Sequence, residues 1–344
     1  MGRVLAALWL SLVLAVSGGA CSRVQILYDQ LDRLILLYVE RYVELSADQK
    51  DFLYARVDAL KRWHCAGELD AYSRTLREIG ADFRSGRVTP ERVRIHANAI
   101  EGYWDAIFTK ATPALAGLLA RLSPEQVEEL FASLEERNAE SAEQLAEESP
   151  EEIAERYEEH ATEGLERWLG SLTPAQEALV VTWSREFRPL GAVGLAERRR
   201  WQAGIRALLE RRGHDNGTTR AQLRAFLREL QDSRSKEQSE LIAHNKALTY
   251  RMVARVAEST SSEQIAHLDR AIESLSRDFR KLSCAGAAER QSQYDRTGLE
   301  TIRLEPSQGE RCPSMTPSIS GGKAARNTLG NLSSARDRIS PSTC

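Results

Sequence analysis

One short pattern, a hydroxyl residue followed three positions later by Gln or Glu, constrains the fold of this chain more than any other feature. Leu45-Ser46-Ala47-Asp48-Gln49, Leu122-Ser123-Pro124-Glu125-Gln126 and Leu172-Thr173-Pro174-Ala175-Gln176 are full copies. Ser149-Pro150-Glu151-Glu152 and Thr89-Pro90-Glu91-Arg92 are variants; Ser261 with Gln264 and Thr219 with Gln222 are looser ones. The pattern is a capping box: the hydroxyl accepts from the N3 amide and the N3 side chain accepts from the cap amide. Pro fits at N1, where its missing N–H has no helical partner to lose, and the leading Leu acts as a hydrophobic staple. Each copy therefore starts a helix.

The apolar residues agree. Leu27, Leu31, Leu34, Tyr38 and Tyr42 fall at three- and four-residue steps. So do Leu69, Tyr72, Leu76, Ile79 and Phe83; Val93, Ala97, Ile100, Trp104 and Ile107; and Ile265, Leu268, Ile272, Leu275, Phe279 and Leu282. Each set is the buried stripe of an amphipathic helix, and no window alternates with the period of a strand. The fold class is all-α, a multi-helix bundle of about eight to ten amphipathic helices with a disordered C-terminal tail. No proline stands between Pro189 and Pro306, so Gln222 to about Glu258 reads as one long helix, following a loop at His214-Asp215-Asn216-Gly217. Residues 284–344 are rich in Ser, Gly and Pro with Tyr294 as the only aromatic, too little to offset the entropy of ordering.

The N-terminus reads as an address. Arg3 precedes an apolar run from Val4 to Val16, then small residues lead to Cys21. That run is the core of an export signal and too short to span a bilayer. Two cleavage readings fit. The small residues ending at Cys21 resemble a bacterial lipobox, in which the thiol is lipidated and the chain is cut before it; Gly18 stands where a lipobox usually has Leu. Ordinary signal cleavage after Ala20 also fits, but it gives no reason for a Cys at the cut. By likeness to lipoproteins, Ser22 in place of Asp points to the periplasmic face of the outer membrane. The expected segments are a signal over residues 1–20, a lipidated N-terminus over 21–23, a helical domain over 24–283 and the tail over 284–344. Cys65, Cys284, Cys312 and Cys344 match no disulfide framework and read as incidental thiols.

Chemistry is sparse. The sequence has no His-Glu-x-x-His, Cys-x-x-Cys, Gly-rich phosphate loop or Gly-x-Ser-x-Gly elbow, and no cofactor or metal is expected. His64 with Glu68 and His160 with Glu163 read as solvated helix pairs. The rival reading is an enzyme whose site is built from scattered residues such as Glu101, His96 and Tyr103. Charge is more informative than motif. The net charge is −3, without the basic excess of a nucleic-acid binder. Yet residues 125–167 hold sixteen Glu against three Arg, and residues 185–234 hold twelve Arg against six acids. Two solvated helix faces that attract each other are the plain interpretation. A cradle for client chains or an envelope partner is the functional one, with Arg198, Arg199, Arg200 and Trp201 as candidate partner-binding residues, suited also to anionic headgroups. The sequence thus points to a non-catalytic lipoprotein, anchored to the membrane through Cys21, that binds unfolded envelope proteins or serves as a scaffold.

Several segments together resemble an uncharacterised family of helical proteobacterial lipoproteins, one carrying a domain-of-unknown-function label. They are Tyr28-Asp29-Gln30-Leu31-Asp32, Leu36-Leu37-Tyr38, the Ser46 box with Trp63-His64, the Ser123 box with Glu136-Arg137-Asn138-Ala139-Glu140, Trp168-Leu169 with the Thr173 box, and Glu197 to Gln202. The resemblance covers about residues 1–282 and implies architecture and location but no activity. The boxes are also similar, more distantly, to those of the small periplasmic chaperones of the Spy and CpxP type.

Overall fold

The computed structural model describes residues 23–286, apart from 213–215 and 233. Signal, Cys21, His214, Asp215, Cys312, Cys344 and the tail beyond residue 286 lie outside the described residues. Among the described residues every regular element is helical: α1 (Arg23–Asp29), α2 (Leu31–Glu40), α3 (Ala47–Trp63), a π turn (His64–Glu68), α4 (Leu69–Arg84), α5 (Pro90–Leu119), α6 (Pro124–Glu147), α7 (Pro150–Leu169), α8 (Pro174–Glu186), α9 (Gly191–Glu210), α10 (Asn216–Asp232), α11 (Lys236–Glu258) and α12 (Ser262–Leu282). The α3–π–α4 run is one unbroken rod. The α1–α2 pair is nearly so, because Gln30 N donates to Ile26 O and Leu34 N to Gln30 O, both at 3.0 Å.

Capping boxes open α3, α6, α7, α8 and α12 at Ser46, Ser123, Ser149, Thr173 and Ser261, and Thr89 caps α5. Two expectations about the third quarter of the chain are corrected. The Asn216-Gly217 dipeptide is the first turn of α10 rather than a loop, and Thr219, expected at a helix start, is a buried residue inside that helix. The single long helix expected over 222–258 is two, because Ser235 draws the amide of Gln238 to its hydroxyl and starts α11. A serine cap breaks a helix without any proline.

The boxes also do something the cap motif alone does not require: they pair. Gln49 Nε2 donates to Gln126 Oε1 at 2.8 Å, and Gln126 Nε2 returns the bond at 2.9 Å. Each also donates to the carbonyl two residues before the other's cap, Arg121 O and Glu44 O. Gln176 and Gln264 repeat the arrangement at 3.0 and 2.9 Å, with Ser259 O and Ser171 O as the two carbonyls. Since each glutamine oxygen also holds its own cap amide, all four hydrogen-bonding positions of each side chain are filled. The first clasp joins the turn before α3 to the α5–α6 turn. The second joins the α7–α8 turn to the α11–α12 turn.

Three apolar clusters make up the buried core of the described residues. One gathers Leu53, Val57, Ala116, Val127, Phe131, Leu223 and Leu227 from α3, α5, α6 and α10. A second gathers Leu169, Val180, Trp183, Met252, Val256 and Leu268 from α7, α8, α11 and α12. The third is Leu69, Tyr72, Leu275, Phe279 and Leu282, where α4 and α12 pack together. Gly80 permits that approach, since a Cβ there would stand 2.9 Å from Ile272. The stripes of α4 and α12 point inward as expected. Two expected core residues do not: Ile100 is 43% exposed and Leu34 38% exposed. On α5 the inward positions fall instead to His96 and to Tyr103, which packs on the third cluster.

Candidate functional site

The four residues picked out as partner-binding lie on α9, alongside α6. Trp201 is half-buried against the first cluster. Arg199 pairs with Glu135 at 2.8 Å, Arg200 with Glu197 at 2.6 Å, and Arg198 donates to Ser141 Oγ at 3.4 Å. Farther along, Arg206 reaches Glu128 at 2.8 Å. The basic α9 thus lies against the acidic α6, and part of the charge split is spent within the fold. Arg199 and Arg200 stay exposed, and exposed pairs are weak, about 0–1 kcal/mol.

The residues of the scattered-enzyme reading each have a different partner. His96 Nε2 contacts Asp82 Oδ2 at 2.8 Å. Tyr103 shares a 2.7 Å bond with Thr75 and contacts Ala71 O, while Glu101 pairs with Lys246 at 2.6 Å. Burial alone would raise the Asp82 carboxyl, but His96 and Arg92 outweigh it and hold it below its ordinary value. The Asp82 cluster is the polar lock of the α4–α5 hairpin. Among the described residues no group of three or more His, Cys, Asp or Glu is placed to hold a metal ion.

Two places were not foreseen. The first is the junction where α1, the π turn and the end of α12 meet. Cys65 and Cys284 form a disulfide across it, correcting the reading of these two as incidental thiols. The cysteines lie 219 residues apart in sequence; only the return of α12 along α4 brings them together. Beside them His64 is buried, not solvated: its Nδ1 lies 3.2 Å from the Tyr28 hydroxyl and its Nε2 3.2 Å from the Tyr72 hydroxyl. Burial pushes its pKa down to about 4. Tyr28 also donates to Lys61 O at 3.2 Å, and burial raises its own pKa to about 12 with help from Asp29. The neutral ring then donates from Nδ1 to Tyr28 and accepts at Nε2 from Tyr72. The wider π turn rotates the chain between α3 and α4 and places His64 and Cys65 side by side at this junction.

The second place is an apolar groove of about 340 Å³ between α7, α8 and α11, lined by Tyr157, Ala161, Leu165, Trp183, Met252 and Val253. Trp183 is fixed by its indole N–H, which donates to Thr249 Oγ1 at 3.0 Å, and by edge contact with Tyr157. Gly164 lines it without filling it, for a Cβ there would meet nothing within 4 Å. The lining holds no carboxylate, and its titratable side chains are His160 and the Tyr157 phenol. Such a surface can accept apolar side chains.

Fold and sites together define an all-α domain of clasped helical hairpins, with an apolar groove and a disulfide-closed junction. The chain belongs to the family of unknown function DUF6279, whose model matches residues 41–239, from the turn before α3 into α11. No curated protein and no solved structure matches it. The likeness of its boxes to those of Spy and CpxP therefore stands on the short pattern alone.

Proposed function

We propose that this chain is an exported lipoprotein, anchored through Cys21 to the periplasmic face of the outer membrane, whose helical domain holds apolar segments of unfolded or unassembled envelope proteins without catalysis. The observation that carries the reading is the groove of α7, α8 and α11. It is apolar, open to solvent and lined by the rings of Tyr157 and Trp183, which offer apolar area, and by the flexible Met252, a side chain that adapts to varied partners. The Cys65–Cys284 disulfide supports the compartment, because such bonds persist where the surroundings are oxidising. The signal-like N-terminus agrees with it.

The test uses the oxidised chain from Ser22 onward and a denatured client whose aggregation is followed by light scattering. Suppression near equimolar ratio, weakened by Gly164→Leu, is the expected result. No suppression at any ratio would overturn the holding activity and leave a scaffold with one specific partner, to be sought by crosslinking in the intact envelope. Anchoring is tested separately: Cys21→Ala should shift the protein from the membrane fraction toward the soluble periplasm.

A further inference from the structure

The helix that follows Cys21 is apolar on two faces, and protein covers only one. Leu31, Ile35, Leu36 and Val39 of α2 pack on the first cluster. On the other side Ile26 is 58% exposed, Leu37 61% and Leu34 38%. Gln30 bonds to both sides of the α1–α2 joint but its own backbone leaves the helical region, at φ −93° and ψ 9°, so the spacing is read along α2 at about 100° per residue. Leu34 and Leu37 fall within an arc of about 60°, Arg33 and Arg41 lie within or beside the same arc, and Ile26 is the exposed apolar residue of the preceding α1. Both arginines are exposed and neither forms an ion pair among the described residues, whereas Glu40 is engaged by Lys50 at 2.7 Å. Two large apolar side chains on one strip of α2 and a third on α1, accompanied by two free guanidinium groups, match the face of a helix that lies in a lipid interface. Among the described residues no helix is long and apolar enough to cross a membrane, so the helix would lie along the surface.

The occupant follows from where the strip begins. α1 starts at Arg23, two residues after Cys21, so no linker separates the helix from the anchor. At no more than about 3.6 Å per residue, Ile26 stays within about 18 Å of the Cys21 Cα. A lipid on Cys21 thus holds this strip against the bilayer surface, and its arginines suit anionic headgroups while their stems lie along the apolar surface. We infer that the outer face of α1–α2, formed by Ile26, Leu34 and Leu37 with Arg33 and Arg41, is a bilayer-docking surface that seats the domain on the membrane beside its anchor. The inference rests on the lipoprotein reading for its setting, but the face itself is testable without the lipid.

The experiment uses the chain from residue 21 onward with Cys21→Ala, so that neither signal nor lipid is present, and measures flotation with vesicles of phosphatidylethanolamine and phosphatidylglycerol. The chain should float, less so with neutral phosphatidylcholine, and Leu34→Glu/Leu37→Glu should raise the lipid needed for half-flotation by at least about tenfold. Leu34→Phe/Leu37→Phe should float at least as well as the parent, and helical circular dichroism of all forms should agree. Equal flotation of the Glu and parent chains would overturn the inference, as would no flotation of the parent at any lipid concentration. So would sedimentation in which the Glu pair dissociates a dimer while leaving flotation unchanged, which would assign the face to a second copy. Failure of the anchor reading is seen elsewhere, as Cys21→Ala leaving the membrane fraction of cells unchanged when the docking face also carries Leu34→Glu/Leu37→Glu.

Discussion

Replacing Gln176 by Ala tests whether a capping box that pairs across the fold differs in kind from one that only caps. Gln176 is fully buried at 0% exposure. Its oxygen accepts from Thr173 N at 2.9 Å and Gln264 Nε2 at 2.9 Å, and its nitrogen donates to Gln264 Oε1 at 3.0 Å and Ser259 O at 3.4 Å. Truncation leaves the Thr173 amide, the Ser259 carbonyl and the Gln264 amide short of partners where water does not readily reach. At about 1 kcal/mol each, the low end for buried groups left unsatisfied, the loss is about 3 kcal/mol. Glu152 occupies the same position in the Ser149 box but is exposed, accepting from Ser149 N at 2.8 Å. There water replaces the lost acceptor, so Glu152→Ala should cost about 0.5–1 kcal/mol. Urea unfolding with the disulfide intact separates the two. With a slope of about 3 kcal/mol/M, Gln176→Ala lowers the midpoint by about 1 M and Glu152→Ala by about 0.3 M or less. Gln264→Ala should resemble Gln176→Ala, and the double variant should lose about 1–2 kcal/mol less than the sum, because each single change already orphans the other amide. Equal shifts for Gln176→Ala and Glu152→Ala, or strict additivity of the pair, would refute the clasp.

Other consequences are as direct. Cys65→Ser with Cys284→Ser should lower stability by up to about 5 kcal/mol, the chain-entropy limit for so long a loop, seen as a fall in Tm that reductant reproduces in the parent and not in the variant. The His64 pKa is depressed in the folded state, from 6.5 to about 4. Stability from keeping it neutral is therefore complete above about pH 6.5 and lost as pH falls toward 4, by up to about 3 kcal/mol. His64→Gln should flatten urea midpoints over that window, while the decline below it, governed by carboxylates such as Asp82, remains. Gly164→Leu should keep or raise Tm, since leucine favours the helix by about 0.8 kcal/mol and meets open space; it should reduce binding of an apolar dye such as bis-ANS, and unchanged dye binding would place the dye site outside the groove.

What was legible in the sequence was local. Ser46, Ser123, Ser149, Thr173 and Ser261 announce helix starts because donor and acceptor of a capping box lie within one turn. The pairing of those boxes was hidden, since Gln49 meets Gln126 across 77 positions and Gln176 meets Gln264 across 88. The sequence offers the glutamine, but only the fold supplies the second one. The Cys65–Cys284 bond was hidden for the same reason. His64 was misread more subtly: a residue judged by regular helical spacing is displaced where a π turn widens the helix, and the ring lands between two tyrosines. On α2 the periodicity was present, but Leu34 to Val39 is an unbroken apolar run, so spacing alone could not say which side the protein covers. The charge split was legible in sign and incomplete in consequence, because α9 satisfies part of it against α6 through Arg199 and Arg206.

The junction ties these observations together. A helix as short as α1, seven residues from Arg23 to Asp29, does not persist in water by itself. Its order comes from docking: the Tyr28 hydroxyl bonds Lys61 O and His64, the Lys61 ammonium lies 5.7 Å from the Tyr28 ring and donates to Asp29 O, and α12 packs alongside. The disulfide holds the end of α12 to the residue next to His64. The first and last described helices are therefore fastened at one point. The polar bonds of Tyr28 and the neutral His64 fix the direction of that contact, and the covalent bond beside them limits how far it can open.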